Sequence, residues 1–319
     1  MITDLAIIVA SFAILVWSAD RFIDGAAAIA KSLGMSPLLI GMTIVSVGTS
    51  APEIIVSFMS ALTGAGSLAV GNALGSNIAN VGLVLGITLV ISPIVVGRVT
   101  AFSDLPLLLG TILLCALLLA DQVLSLLDAL ILLAGLGLFL WRMVRHKQQP
   151  DEADEVPAIP SLSPAQAWWL FAVGLLLLVA SSRALVFSAV NIATRFGVSE
   201  LVIGLTIVAV GTSLPELAAS LLSAIRGHAD IAIGAVVGSN MFNLLVVLSL
   251  PGLFGPLQLE PVALTRDLST VLITTSILAA ATWLAWNKQT GVARLGRRLG
   301  SIFFISYVLY YGLLFYDMA

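Results

Sequence analysis

Two six-residue stretches offer chemistry in this chain: GTSAPE at 48–53 and GTSLPE at 211–216. Each brings a carboxylate, two hydroxyls, a glycine and a proline into a long apolar stretch. A charge at the centre of a membrane helix costs at least ~2.5–3.5 kcal/mol, so it marks a functional site by default. Two such charges in matched settings point to a single shared role, in which Glu53 and Glu216 meet and hold a metal ion. Proline lacks an N–H and pushes away the carbonyl four residues before it. Pro52 therefore frees the Gly48 carbonyl, Pro215 frees that of Gly211, and each motif should break or kink its helix. Thr49 and Ser50 lie four and three residues before Glu53, on one face if the helix persists. A second motif follows each first one, GSNIAN at 75–80 and GSNMFN at 238–243, and it sets Ser76 four residues from Asn80 and Ser239 four from Asn243. Gly71, Gly75, Gly234 and Gly238 let these helices approach closely. The donor set is all oxygen, without histidine or thiolate, which suits Ca²⁺, Mg²⁺ or Na⁺ rather than zinc or copper. Two carboxylates neutralise one Ca²⁺, a cage of long flexible side chains favours Ca²⁺ over Mg²⁺, and Na⁺, similar in radius, competes for it.

The elements that carry these motifs follow from composition. Of 319 residues, 60% are hydrophobic and only 10% are charged, against about 25% in a soluble domain, so this is an integral membrane protein. The net charge of −3 gives no reason to expect nucleic acid. Cys115 is the only cysteine, which excludes a disulfide framework and a thiolate metal site. The opening MITDLAIIVASF lacks the basic region of a signal peptide and reads as the start of the first span. About 20 apolar residues cross a bilayer. Such stretches predict ten helices, near 4–31, 37–62, 68–92, 102–120, 124–145, 164–194, 200–225, 230–254, 267–287 and 299–316. The fold class is all-α; strands are not expected, since no run shows period-2 alternation. The connections are short except 145–164, a polar, acidic, proline-rich linker too short to fold as a regulatory domain, whose acids read as a solvated face.

Shifted by 163 residues, the sequence matches itself: 34–53 lies over 197–216 with 14 of 20 positions identical, 71–80 lies over 234–243, and Asp104 over Asp267. The chain thus divides into a five-helix repeat at 1–145, a linker at 146–163 and a second repeat at 164–319. Five spans is an odd number, so the second half enters from the opposite side, an inverted repeat of the kind secondary transporters use. Packing alone would not preserve Thr49, Ser50, Glu53, Ser76, Asn77 and Asn80 more closely than their apolar neighbours. With the N-terminus outside, ten of the 14 Lys and Arg fall in cytoplasmic connections and two outside, the remaining pair lying within helices. Both termini are therefore expected outside and the 146–163 linker in the cytoplasm.

The paired GTSxPE motifs, each followed by GSNxxN, resemble the α-repeats of the sodium/calcium exchanger family, most closely its compact prokaryotic members, with one repeat in 34–86 and the other in 197–249. The resemblance covers essentially the whole chain. It implies ten helices, with helices 2, 3, 7 and 8 as a core across which the long helices 1 and 6 slide. It implies Glu53 and Glu216 as central calcium ligands. Thr49, Ser50, Thr212 and Ser213 would give hydroxyl and carbonyl oxygens, mostly to sodium. Ser76 and Ser239 would complete the sodium sites, the carbonyls of Ser46 and Ala209 would join them, and Asn80 and Asn243 would face the centre. Some relatives have aspartate where this chain has Asn243. In potassium-dependent members that carboxylate is tied to potassium use, so the amide argues against a potassium requirement.

The expected function is Na⁺/Ca²⁺ exchange by alternating access, in the direction of Ca²⁺ extrusion across the plasma (inner) membrane. Ca²⁺ and Na⁺ are substrates, the bilayer is the only partner, and neither an enzyme activity nor a cofactor is expected. The alternative is Ca²⁺/H⁺ or cation/H⁺ antiport on the same fold, since two glutamates can carry protons; the surrounding hydroxyls favour sodium. A calcium channel would not need an inverted repeat, and an intramembrane protease lacks a histidine within a span. Elsewhere, Arg21 and Asp24 are spaced to pair locally, and Asp20 and Arg183 occupy matched positions, for which local pairing or snorkelling to headgroups is favoured over a contact between the two sliding helices. Asp104 and Asp267 read as helix caps. His146 and His228 read as solvated, and Trp168 and Trp169 as interfacial.

Overall fold

Helix fills the apolar stretches in a computed structural model that describes residues 1–145, 162–197 and 209–318. Most of the expected linker, 146–161, and residues 198–208 of the second repeat lie outside the described residues, as does His146. The helices are α1 (Ile2–Leu33), α2 (Pro37–Thr49), α3 (Ala51–Leu62), α4 (Gly66–Ile91), α5 (Thr100–Leu118), α6 (Leu126–Arg145), α7 (Pro164–Arg195), α8 (Ala209–Thr212), α9 (Leu214–Ile225), α10 (Ala229–Phe254), α11 (Ala263–Leu284) and α12 (Arg297–Met318). Among the described residues seven of these are long and apolar enough to cross a membrane, and the bent pair α2–α3 is an eighth. The chain is a multi-pass helical membrane protein.

Local chemistry sets the ends. Gly34, at φ +62°, closes α1 in the left-handed conformation that glycine adopts without a side-chain clash. Ser36 opens α2, its hydroxyl accepting the Leu39 N–H at 3.2 Å. Ser163 and Gln166 form a reciprocal capping box ahead of α7, with Pro164 in the first turn.

Strands are present after all, and among the described residues they lie only in the connections. β1 (Ile94–Val96) pairs with β5 (Val292–Leu295), which also pairs with β4 (Trp286–Asn287), and β2 (Val123–Leu124) pairs with β3 (Leu257–Gln258). The 163-residue shift carries β1 onto β3 and β2 onto β4. In each ribbon, then, the segment that follows a GSNxxN helix pairs with a connection of the other half.

Glycine packing fixes the direction of the central helices. A Cβ on Gly41 would lie 2.7 Å from the Ile231 carbonyl, and one on Gly234 2.7 Å from that of Leu38. The start of α10 therefore lies along the start of α2. At the far end Phe58 of α3 meets Phe254 of α10 with ring centroids 5.8 Å apart, and Gly66 abuts Leu257. The 62–65 turn after α3 thus sits where α10 ends, and the 226–228 turn after α9 sits where α10 begins, so α3 and α9 point opposite ways.

The long helices α1 and α7 pack against each other. Gly25 leaves no room for a Cβ against Phe171, nor does Gly174 against Phe22, the closest backbone atoms lying 2.5 and 2.6 Å away, and the two phenyl rings stack at 4.9 Å. This antiparallel register leaves no Asp20–Arg183 contact. It sets residue 25 opposite 171 and 22 opposite 174, so Arg183 lies several residues beyond the point facing Asp20, about 10 Å along the axis. Asp20 pairs instead with Arg226, which also bonds Asp24 at 2.5 Å, while Arg21 makes its expected local pair with Asp24 at 3.6 Å.

Two other expectations are corrected. Asp104 and Asp267 are not caps, because a widened π-type turn begins each helix earlier, at Thr100 and at Ala263. Both side chains then point inward: Asp104 is fully buried beside Arg142, at 3.4 Å, and Asp267 bonds Arg266 at 2.7 Å and the Tyr310 hydroxyl at 3.1 Å. His228 is buried rather than solvated, because the 226–228 turn is pulled against α1 by the Arg226 pairs. Trp168 and Trp169 are exposed, as an interfacial role requires.

Candidate functional site

Each GTSxPE motif breaks its helix at the serine. Ser50 has φ −82°, ψ 2° and Ser213 has φ −90°, ψ 2°, and α2 and α3 meet there at 47°. Pro52 and Pro215 fall in the first turn of the helix that follows, where a missing N–H does no harm. The helix does not persist, so the one-face argument for Thr49, Ser50 and Glu53 does not hold; the break itself gathers them. Glu53 and Glu216 lie in the first turns of α3 and α9, at positive helix ends, while α2 and α8 present the carbonyls of their negative C-terminal ends.

The freed Gly211 carbonyl accepts the Ser182 hydroxyl of α7 at 2.8 Å. The Ser46 carbonyl accepts the Ser50 N–H at 2.9 Å, and the Ser46 hydroxyl reaches the carbonyls of Gly41 at 2.6 Å and Ala235 at 3.0 Å, across to α10. Thr49 donates to the Val45 carbonyl at 3.2 Å. The backbone of Ala209 opens α8.

The GSNxxN helices supply the other walls. Widened turns at Asn80–Leu85 and Asn243–Val247 begin on the two predicted amides; such turns shift the register of a helix and recur at functional sites. α9 packs on the first of these turns and α3 on the second, so the halves interlock crosswise. Asn80 donates to Asn240 Oδ1 at 3.1 Å. Thr49, Ser50, Glu53, Ser76, Asn80, Ser213, Glu216, Ser239 and Asn243 are all buried, and Thr212 lines an adjoining cavity. The Glu216 carboxyl lies beside the Thr49 and Ser50 side chains and feels the charge of Glu53.

Five of the predicted residues hold a buried oxygen with no hydrogen-bond partner: Ser50 Oγ, Glu53 Oε2, Glu216 Oε2, Ser239 Oγ and Asn243 Oδ1. Buried polar atoms are normally paired, and leaving one unpaired costs about 1–3 kcal/mol. A cluster of unpaired acceptors from α3, α9, α10 and the α2–α3 break, two of them carboxylates, is what a cation would satisfy. Among the described residues no three acidic, histidine or cysteine side chains cluster, so any such cation relies on neutral oxygens for its remaining ligands.

Sequence reading missed several contributors. Asn72 donates to the Glu53 carbonyl at 3.1 Å and to Ser57 Oγ at 2.9 Å, which braces the break; its matched position is Ala235, so the repeat gave no signal. Ser182 and Arg183 of α7 were equally silent in this respect, because positions 19 and 20 carry Ala and Asp.

A cavity of about 560 Å³ lies beside the two motif breaks on the side of the 62–65 turn, walled by Pro52, Ile55, Met59, Arg183, Thr212 and Pro215 among others. Its matched positions on α9, toward the 226–228 end, are more closely packed. Ile55 is 54% exposed and its match Ala218 8%; Ala219 and Ser223, which match Val56 and Ser60, are 1% and 0% exposed, and Leu222, which matches the 52% exposed Met59, is half-buried.

The family model described as sodium/calcium exchanger protein matches residues 3–145 and 166–316. This chain belongs to the sodium/calcium exchanger family. Among its relatives, a putative antiporter CaxA of Alkalimonas amylolytica is 43% identical over 311 residues, covering 95% of each chain. The inner membrane protein YrbG of Escherichia coli is 36% identical over 89% of this chain and 90% of its own. Among solved structures, the sodium-calcium exchanger NCX_Mj soaked with zero Na⁺ and Ca²⁺ superposes with a TM-score of 0.84 at 29% identity, over 98% of this chain and 99% of the other. Membership in this exchanger family makes the chain a cation/Ca²⁺ antiporter.

Proposed function

We propose that the protein exchanges Na⁺ for Ca²⁺ by alternating access, with both ions drawn to one cage between Glu53 and Glu216. The observation that carries this reading is the set of unpartnered buried oxygens on Ser50, Glu53, Glu216, Ser239 and Asn243, contributed by matched motifs of the two halves. Glu53 and Glu216 bind Ca²⁺ centrally. Thr49, Ser50, Thr212, Ser213, Ser76 and Ser239 add oxygens for Na⁺, with the carbonyls of Ser46 and Ala209, and Asn80 and Asn243 line the centre. No cofactor and no obligate partner chain is needed. Two bare carboxylates in a low-dielectric core are costly, so only loaded states should cross readily, and that couples the ions.

Ten spans in two inverted repeats, 1–145 and 164–319, give the machine its two faces. The opposite directions of α3 and α9 and the crosswise ribbons support that arrangement. The excess of Lys and Arg in one set of connections supports a plasma (inner) membrane orientation with both termini outside and the 146–163 linker in the cytoplasm. The cavity then opens outward, and Ca²⁺ extrusion is the working direction: Arg183 stands at the outward mouth, where a fixed positive charge disfavours recapture of a released cation.

The test is ⁴⁵Ca²⁺ uptake into proteoliposomes under an outward Na⁺ gradient set beside an outward H⁺ gradient. Uptake driven by Na⁺ and not by H⁺ is expected; uptake driven equally well by H⁺ without Na⁺ would replace sodium with protons.

A further inference from the structure

Opposite the cavity that lies beside the motif breaks on the side of the 62–65 turn, a file of buried hydroxyls runs toward the 226–228 end. Glu216 is followed on one face of α9 by Ser220 and Ser223, four and seven residues on. Both hydroxyls are buried, 1% and 0% exposed, and neither has a hydrogen-bond partner. Unpaired buried hydroxyls leading from a carboxylate toward the end of a helix are unfavourable in a permanently dry core. On the open side the same spacing recurs in Glu53, Ser57 and Ser60, and Ser60 lines the open cavity.

What lies over the hydroxyl file is a clamp. Arg226, just beyond α9, pairs with both Asp20 and Asp24 of α1. The matched positions at the open end are Thr63, Arg183 and Phe187, which cannot form it. Four charges meet where the closed route would emerge, since Arg21 also pairs with Asp24 at 3.6 Å, whereas the matched positions on the open side carry Arg183 alone.

We infer that Ser220 and Ser223 line the second access route to the cage and that Arg226, held by Asp20 and Asp24, is its gate. Opening moves α1 and α7 across α9, breaks both ion pairs and exposes the two aspartates at the mouth, where they attract cations. The inference deepens the exchange mechanism and rests on its alternating-access reading, but it concerns a movement and not the identity of the ion. The clamped residues are partly exposed, Arg226 33%, Asp20 25% and Asp24 15%, so the gate is weak enough to open within a transport cycle.

Maleimide labelling in lipid nanodiscs, which leave both faces accessible, tests it. In a Cys115→Ala background, Met59→Cys reports the open side and Ser223→Cys the closed one. Arg226→Gln should raise labelling at position 223 and lower it at position 59, each about fivefold. Asp20→Asn with Asp24→Asn should reproduce that reciprocal change, and Arg226→Lys, which keeps the charge, should stay near the parent. Unchanged labelling at 223, or a rise there with no fall at 59, would overturn the gate, the latter being local fraying. No Na⁺ or Ca²⁺ enters this readout. A reciprocal shift in a protein without Na⁺-driven Ca²⁺ uptake would therefore leave the gate standing and remove only the ion assignment.

Discussion

Residues 163 apart share their chemistry but not their surroundings. Around Pro52 and Pro215 the side toward the 62–65 turn is open, walled by exposed Ile55, Met59 and Phe187, while the matched side is packed shut by Ala218, Ala219 and Ser223. The positions that differ most in character face these two routes: Arg183 against Asp20, Ser182 against Ala19, Arg226 against Thr63. The lesson is a division of labour. On the proposed mechanism, what the halves keep in common holds the ion, and what they do not share decides which side it leaves by.

The comparison breaks hardest at the carboxylates. If the halves contribute equally to the cage, Glu53→Gln and Glu216→Gln should each reduce Ca²⁺ flux at least ~100-fold, since a buried cation site that loses one of two charges forfeits several kcal/mol. The protein should remain folded and inserted. Near-normal ⁴⁵Ca²⁺ flux in either variant alone would show that one half carries the site. A smaller effect falls on the sliding pair. Gly174→Leu must overpack against Phe22, and a loss of ~1–3 kcal/mol in thermal unfolding is expected, whereas Gly110→Leu, which meets open space on α5, should be nearly neutral. Equal effects at the two glycines would remove the tight α1–α7 contact from the account. The mildest change is Ser182→Ala, which takes away the hydroxyl on the Gly211 carbonyl, a bond the other half lacks. About 1 kcal/mol is at stake, so the Na⁺ concentration for half-maximal exchange should shift a few-fold with little change in protein yield; no shift would mean that the bond is passive.

Much of this was legible in the sequence. The seven or eight apolar spans among the described residues followed from apolar run length, the two breaks from Pro52 and Pro215, and the proposed cage residues from the repeat, because each rests on local chemistry or on self-similarity. The widened turns at Asn80 and Asn243 were not legible: nothing in composition separates a π-type turn from an α-helical one. Asp104 and Asp267 were misread as caps for the same reason, since those turns extend their helices by a turn. The partner of Asp20 depends on the register between α1 and α7, which the glycines at 25 and 174 set only once the two helices are placed together. Which route stands open belongs to the conformation and not to the sequence, and the residues that reveal it are those that break the repeat.

The most direct test of the cage is calorimetric titration of the purified protein with Ca²⁺, with and without Na⁺, beside the Glu53→Gln, Glu216→Gln double variant. The account predicts that a single Ca²⁺ binds the parent, that Na⁺ weakens this binding, and that the double variant shows none. Undiminished Ca²⁺ binding in the double variant, or binding indifferent to Na⁺, would contradict it.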